Sequence, residues 1–139
     1  MKVFNKKFSQ IKINQNEKFN TYITEEKLKK FVSISGDKNP LHLNKKYAQH
    51  LGFKENIIHG LLISSLYSKL VGVYLPGKYA VIGKISINFH NPLYLSEKIQ
   101  VSGKIISKDN RFKNIIIRAQ ILKKDKIIST SEILVNVKK

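Results

Sequence analysis

The residues best equipped for chemistry lie in one stretch, Ser35-Gly36-Asp37-Lys38-Asn39-Pro40-Leu41-His42, with His59-Gly60 following 17 positions after His42. Asp37 and His42 place a carboxylate and an imidazole five positions apart, and Asn39-Pro40 keeps the segment from running as a plain helix. An acid and a base on one bent loop can hold a single water molecule between them. That suits the addition of water to a double bond, or its removal. Each residue alone has a plainer reading, Asp37 and Asn39-Pro40 as turn formers and His42 as a surface or packed histidine. Their conjunction between two apolar helical stretches gives the chemical reading its weight.

Gly60 extends this constellation. A glycine at a helix N-terminus exposes an N–H that has no intrahelical acceptor, and the helix dipole favours negative charge there. Such a donor can hold a developing oxyanion. The side chain of His59 reads as a cap or as packing, and Ser68, two turns further on, as a small residue that lets a strand approach.

Elements on both sides must position these groups. Thr24 is an N-cap followed by the acidic pair Glu25-Glu26, with Leu28, Phe31 and Val32 at helical spacing, so a helix is predicted over 24–35 and ended by Gly36. Asn44 to Leu51 reads as a short helix stopped by Gly52. The longest predicted helix runs from His59-Gly60 to about Tyr74, with Leu62, Leu66, Leu70 and Val73 on one stripe and Leu75-Pro76-Gly77 closing it. Beyond it the period changes to two. Val81, Ile85, Ile87 and Phe89 alternate with polar neighbours, and residues 98–107, 112–123 and 126–137 repeat the pattern. Residues 1–20 are polar and basic and read as a short strand or arm. Helices first and an antiparallel meander afterwards give an α+β domain, a sheet curled around the long helix, whose edge strands invite pairing with a second copy.

At 139 residues the chain is expected to form a single domain over 1–139. No run of 18 apolar residues and no signal-peptide core are present, so no membrane span is expected and the location is read as cytoplasmic. The absence of cysteine excludes disulfides, thiolate metal sites and a cysteine nucleophile. Nothing in the sequence asks for a metal or other cofactor. The formal charge of +17 raises nucleic-acid binding, but only Arg111 and Arg118 among 26 basic residues carry the guanidinium fork that favours phosphate and base recognition. The lysines are spread along the chain in blocks no longer than two. A basic surface also attracts an anionic substrate such as a nucleotide-bearing thioester.

The segment Asp37-Lys38-Asn39-Pro40-Leu41-His42, followed by His59-Gly60-Leu61-Leu62, resembles the MaoC-like hydratases of the hot dog fold, and within them the short (R)-specific enoyl-CoA hydratases. The strand segment Ile87-Asn88-Phe89-His90-Asn91-Pro92-Leu93-Tyr94 resembles the strand and proline turn that follow the helix in that family. The resemblance implies a helix wrapped by an antiparallel sheet and a homodimer joined edge to edge. It further implies Asp37 and His42 as holders of the catalytic water and the Gly60 N–H as oxyanion donor. Ser68 would fix the aspartate–histidine geometry, Asn39 would support the loop, and His59 would stand beside them. One departure is Ser96-Glu97, where the family usually has Gly-Asp after the proline turn.

The expected reaction is reversible hydration of a trans-2-enoyl thioester to the (R)-3-hydroxyacyl thioester, carried on coenzyme A or acyl carrier protein. Burial beside apolar side chains is expected to raise the pKa of Asp37 toward a useful range. Two rivals remain open, a hot dog thioesterase in which a carboxylate activates water against the carbonyl carbon, and a non-catalytic domain that binds acyl thioesters or nucleic acid.

Overall fold

A computed structural model describes residues 2–139. Met1, the first residue of the N-terminal arm, lies outside the described residues.

The predicted first helix is α1, Glu25–Ser35. Thr24 caps it by accepting the Lys27 N–H at 3.2 Å, and Gly36 ends it in a left-handed conformation at φ 72°. Asn39 breaks the chain out of helical backbone at φ −53° and ψ 124°, and Pro40 then opens one helical turn, α2, Pro40–Leu43. Proline suits the first position of a helix because its missing N–H would have had no partner there, and Asn39 caps the turn through the Leu41 N–H. Helix α3, Lys45–His50, is capped by Asn44 as expected.

The long helix ends at Tyr74 as its sequence predicts, but its last turn is not α-helical. Helix α4 spans Gly60–Lys69 and then widens into a π-helical turn, Leu70–Tyr74, closed by the Leu75 N–H to the Leu70 carbonyl at 2.9 Å. Pro76 explains the ending, since it disfavours helical backbone at the residue before it. The buried face is also displaced from the expected stripe. Leu62 and Leu70 are buried, but so are Ile63, Tyr67 and Val71, whereas Leu66 and Val73 are half-buried.

Five strands form one antiparallel sheet: β1 (Asn16–Thr21), β2 (Ala80–Phe89), β3 (Ile99–Asp109), β4 (Asn114–Lys123) and β5 (Lys126–Val137). Their order is β1-β3-β4-β5-β2. The meander is therefore β3-β4-β5 alone; β2 crosses over to pair with β5, and the N-terminal arm supplies the other edge. The predicted inward residues Ile115, Ile117, Ala119, Ile121, Ile133, Val135 and Val137 are all buried, in one cluster with the α4 face. Contact between helix and sheet is close at Gly103, where a Cβ would lie 2.7 Å from a Leu70 methyl. The sheet curls around α4, as the hot dog architecture requires.

Strand β2 departs from its pattern. Its alternation predicted one covered face, yet Val81, Ile82, Ile85 and Phe89 are 38–51% exposed, and only Ala80 and Ile87 among its apolar residues pack against the core. Its partner on one side is β5, its other edge is open, and its pairing slips between Ile82 and Lys84.

Candidate active site

Short-range hydrogen bonds build the loop that carries Asp37. Ser35 Oγ accepts the Asp37 N–H at 3.1 Å, and Asp37 Oδ1 accepts the Asn39 N–H at 3.1 Å. Asn39 Oδ1 then accepts the Leu41 N–H at 3.0 Å. Ser35, Asp37 and Asn39 thus each bond the backbone two residues on, which is how short polar side chains fix a turn. Asn39 Oδ1 ties the loop to the first turn of α2.

His42 sits on α2 with Nδ1 2.8 Å from the Ile57 carbonyl oxygen. A carbonyl only accepts, so Nδ1 carries the proton and the neutral ring presents Nε2 as a base. His59 obeys the same logic with its other nitrogen. Its Nε2 lies 3.1 Å from the Asp37 carbonyl oxygen and therefore donates, and it stands 3.9 Å from Asp37 Oδ2. The ring is 2% exposed, makes no capping hydrogen bond, and leaves Nδ1 buried without a partner. Of the two roles expected for His59, packing is the one observed. The rings of His42 and His59 stack with centres 3.8 Å apart and planes 28° apart, and Phe31 closes on His59 from 5.0 Å.

The carboxylate of Asp37 and the two imidazoles bring ligating atoms within 4.8 Å of one another. That span suits one water bridging two hydrogen bonds. It also has the composition of a metal site, but an ion must lie near the plane of each imidazole that binds it. Two stacked rings meet that condition only if one leaves the stack. The expected burial of Asp37 is not found, because its side chain is 48% exposed. Within one chain, apolar surroundings do not cover this carboxylate.

Gly60 opens α4, so its N–H has no intrahelical acceptor. The ring of Phe89 lies across it, and a Cβ at position 60 would meet that ring at 2.9 Å. Asp37, His42, His59, Gly60, Phe89 and His90 line one cavity of about 570 Å³. A larger concavity of about 1160 Å³ on the outer face of the sheet contains none of these six residues. The smaller one is the better candidate because acid–base groups converge there. Ser68 is on the exposed side of α4, outside this cavity, and a single chain does not bring it to Asp37 or His42. The serines that bond near the helix start are Ser64 and Ser65, whose hydroxyls donate to the Gly60 and Leu62 carbonyls at 2.8 and 2.6 Å.

Ser96 takes the left-handed conformation at φ 62° that a glycine would take without strain. Glu97 accepts the Tyr94 N–H at 3.1 Å and pairs with Lys123.

Residues 8–126 match the family described as the MaoC like domain. The chain belongs to this family. A relative in Aeromonas caviae, named (R)-specific enoyl-CoA hydratase, is 38% identical over 69 residues, covering 50% of this chain and 52% of the relative. One in Arabidopsis thaliana, named a mitochondrial 3-hydroxyacyl-[acyl-carrier-protein] dehydratase, is 33% identical over 76 residues, covering 55% of this chain and 45% of the relative. The chain thus spans about half the length of these curated relatives. Among solved structures, an unliganded R-hydratase from Pseudomonas aeruginosa superposes with a TM-score of 0.90 at 25% identity, covering 99% of this chain and 88% of that one. The MaoC-like fold therefore extends over nearly the whole chain. Sequence reasoning missed the Phe89 ring over Gly60 and the Ile57 carbonyl under His42. The resemblance at Ile87–Tyr94 pointed to the strand without pointing to the contact.

Proposed function

We propose that the protein is a hydro-lyase interconverting trans-2-enoyl thioesters and (R)-3-hydroxyacyl thioesters. The observation that carries this is the fixed tautomer of His42, which leaves Nε2 as the basic nitrogen of a ring grouped within 4.8 Å of the Asp37 carboxylate. The named activities of the relatives support the same reaction class.

The thioester carbonyl accepts the Gly60 N–H, which draws electrons from the double bond and makes Cβ electrophilic. A water hydrogen-bonded to Asp37 and His42 Nε2 attacks Cβ as its proton passes to this pair. The electrons of the double bond move through Cα onto the carbonyl oxygen, giving an enolate held by Gly60. The same pair returns a proton to Cα on the face from which water came, so the addition is syn and no atoms are gained beyond water. Asp37 and His42 are the catalytic residues in this scheme, with Asn39 and His59 as positioning residues.

The reading includes a homodimer. Strand β2 offers an open edge and four exposed apolar side chains, which a second copy would cover by extending the sheet. No helix among the described residues is long and apolar enough to cross a membrane. A cytoplasmic enzyme acting on acyl-CoA or acyl-carrier thioesters is consistent with that.

Turnover of crotonyl-CoA in oxygen-18 water tests the reaction. Hydration places the label on the β-hydroxyl and releases no thiol. Label in a free carboxylate, with thiol release, would replace the hydratase by a thioesterase.

A further inference from the structure

Between the loop of Asp37 and the start of α4, the chain presents a surface that the proposed chemistry does not use. Residues 38–59 contain Lys38, Lys45, Lys46 and Lys54 and a single acidic residue, the half-buried Glu55. All four lysines are exposed, and none is in an ion pair among the described residues. Two of the three lysines of α1 differ, since Lys29 and Lys30 are paired with Glu25 and Glu26 at 2.9 and 2.6 Å. Among the unpaired lysines stand Leu43, Tyr47 and Leu51, exposed by 46, 42 and 49%. Tyr47 and Leu51 are one helical turn apart and share a face. Asn44 joins this face to the site, being the last cap of α2, which carries His42, and the first cap of α3.

Exposed apolar side chains interspersed along the chain with lysines in no ion pair fit a partner of opposite charge. A second copy is disfavoured, because any self-contact would press these lysines against a surface of a chain carrying +17. A membrane surface fits poorly as well, since α2 and α3 have only four and six residues and cannot lie as an extended amphipathic helix. We propose that the α2–α3 face docks an acidic acyl carrier protein, which delivers the enoyl group to the adjoining cavity on its phosphopantetheine arm. This inference rests on the thioester-hydratase reading and names the carrier for it. Docking beside His42 converts entry of the thioester into a tethered, near-intramolecular step.

The test compares the wild type with Lys45→Glu/Lys46→Glu, a variant that should fold because acidic residues suit the first turn of α3. Two quantities are measured: binding of a fluorescently labelled, phosphopantetheinylated acyl carrier protein, and turnover of crotonyl-carrier protein against uncharged crotonyl-pantetheine. The expected result is a loss of about tenfold or more in carrier binding and in kcat/KM for the carrier-linked substrate. Turnover of crotonyl-pantetheine should change by no more than about twofold, and added salt should weaken carrier binding to the wild type. Equal carrier binding by variant and wild type would overturn the proposal. So would preferential, lysine-dependent binding to phosphatidylglycerol vesicles or to duplex DNA. If the wild type turned over no enoyl thioester yet bound the carrier through these lysines, the docking face would stand and the hydratase reading would fall.

Discussion

The loop around Asp37 and the edge strand β2 meet at one cavity but are completed in opposite ways. The loop is finished within a single chain. Ser35, Asp37 and Asn39 tie its backbone over two-residue spans, and the Ile57 carbonyl and the Asp37 carbonyl each fix one histidine. Strand β2 is unfinished, with Val81, Ile82, Ile85 and Phe89 exposed along an open edge. The loop geometry is thus fixed by contacts within a few residues, whereas β2 is left without a cover by its own chain. The exposed carboxylate of Asp37 fits this division, since its own chain does not cover it.

The largest effect expected is on the loop. Asp37→Asn or His42→Gln should lower turnover by about 10² to 10⁴ while leaving the melting temperature nearly unchanged. Steady-state kinetics beside a calorimetric scan checks this, and a large drop in stability would show that the pair is structural. His59→Gln should lower kcat by about ten- to a hundredfold, because the ring stacked on His42 sets its position. KM should change little; a rise in KM alone would make His59 part of substrate binding instead.

On the other side of the comparison, Val81→Lys/Ile85→Lys should convert a dimer to a monomer, read by light scattering. Turnover should then fall by about tenfold through loss of a covered site. Full activity in a monomer would show that a single chain is complete.

A smaller effect concerns the tie between α4 and the sheet behind Phe89. Tyr67 is fully buried and donates to Ser129 at 3.0 Å, and Ser129 is the register partner of Phe89. Burial pushes the Tyr67 phenol from 10.0 up to about 12, with the Ser129 hydrogen bond pulling weakly the other way. A folded pKa above the unfolded one means that the stability is fully present below about pH 10 and is lost as pH rises toward about 12. The loss is on the order of 2 kcal/mol. Tyr67→Phe should flatten that alkaline decline, which urea melts at increasing pH would show. Smallest of all, Ser96→Gly should alter stability by no more than about 1 kcal/mol, since relief of the positive φ is offset by a freer unfolded chain.

What could be read in the sequence was what neighbours in sequence decide. Thr24, Gly36 and Asn44 act as the caps and stops their residue types dictate, and the alternation of Ile115 to Ile121 and Ile133 to Val137 correctly assigned the inward faces. The asparagine–proline bend was legible as a break, but not as the single turn α2 that presents His42. Contacts set by chain crossing were not legible. Nothing local places Phe89 on Gly60, or selects Ile57 among several carbonyls to orient His42. Strand order escaped for the same reason, because β2 is followed by β3 in sequence and pairs with β5 in space. The predicted burial of Asp37 failed because it assumed that apolar neighbours in sequence would also be a cover in space.

The central claim, that Asp37 and His42 together activate a water for addition to an enoyl thioester, is tested most directly by following the ultraviolet absorbance of crotonyl-CoA with wild type and Asp37→Asn side by side. Loss of enoyl absorbance is expected with the wild type, with no free thiol and (R)-3-hydroxybutyryl-CoA as product, and almost no change with the variant. Undiminished turnover by a folded Asp37→Asn protein would contradict it.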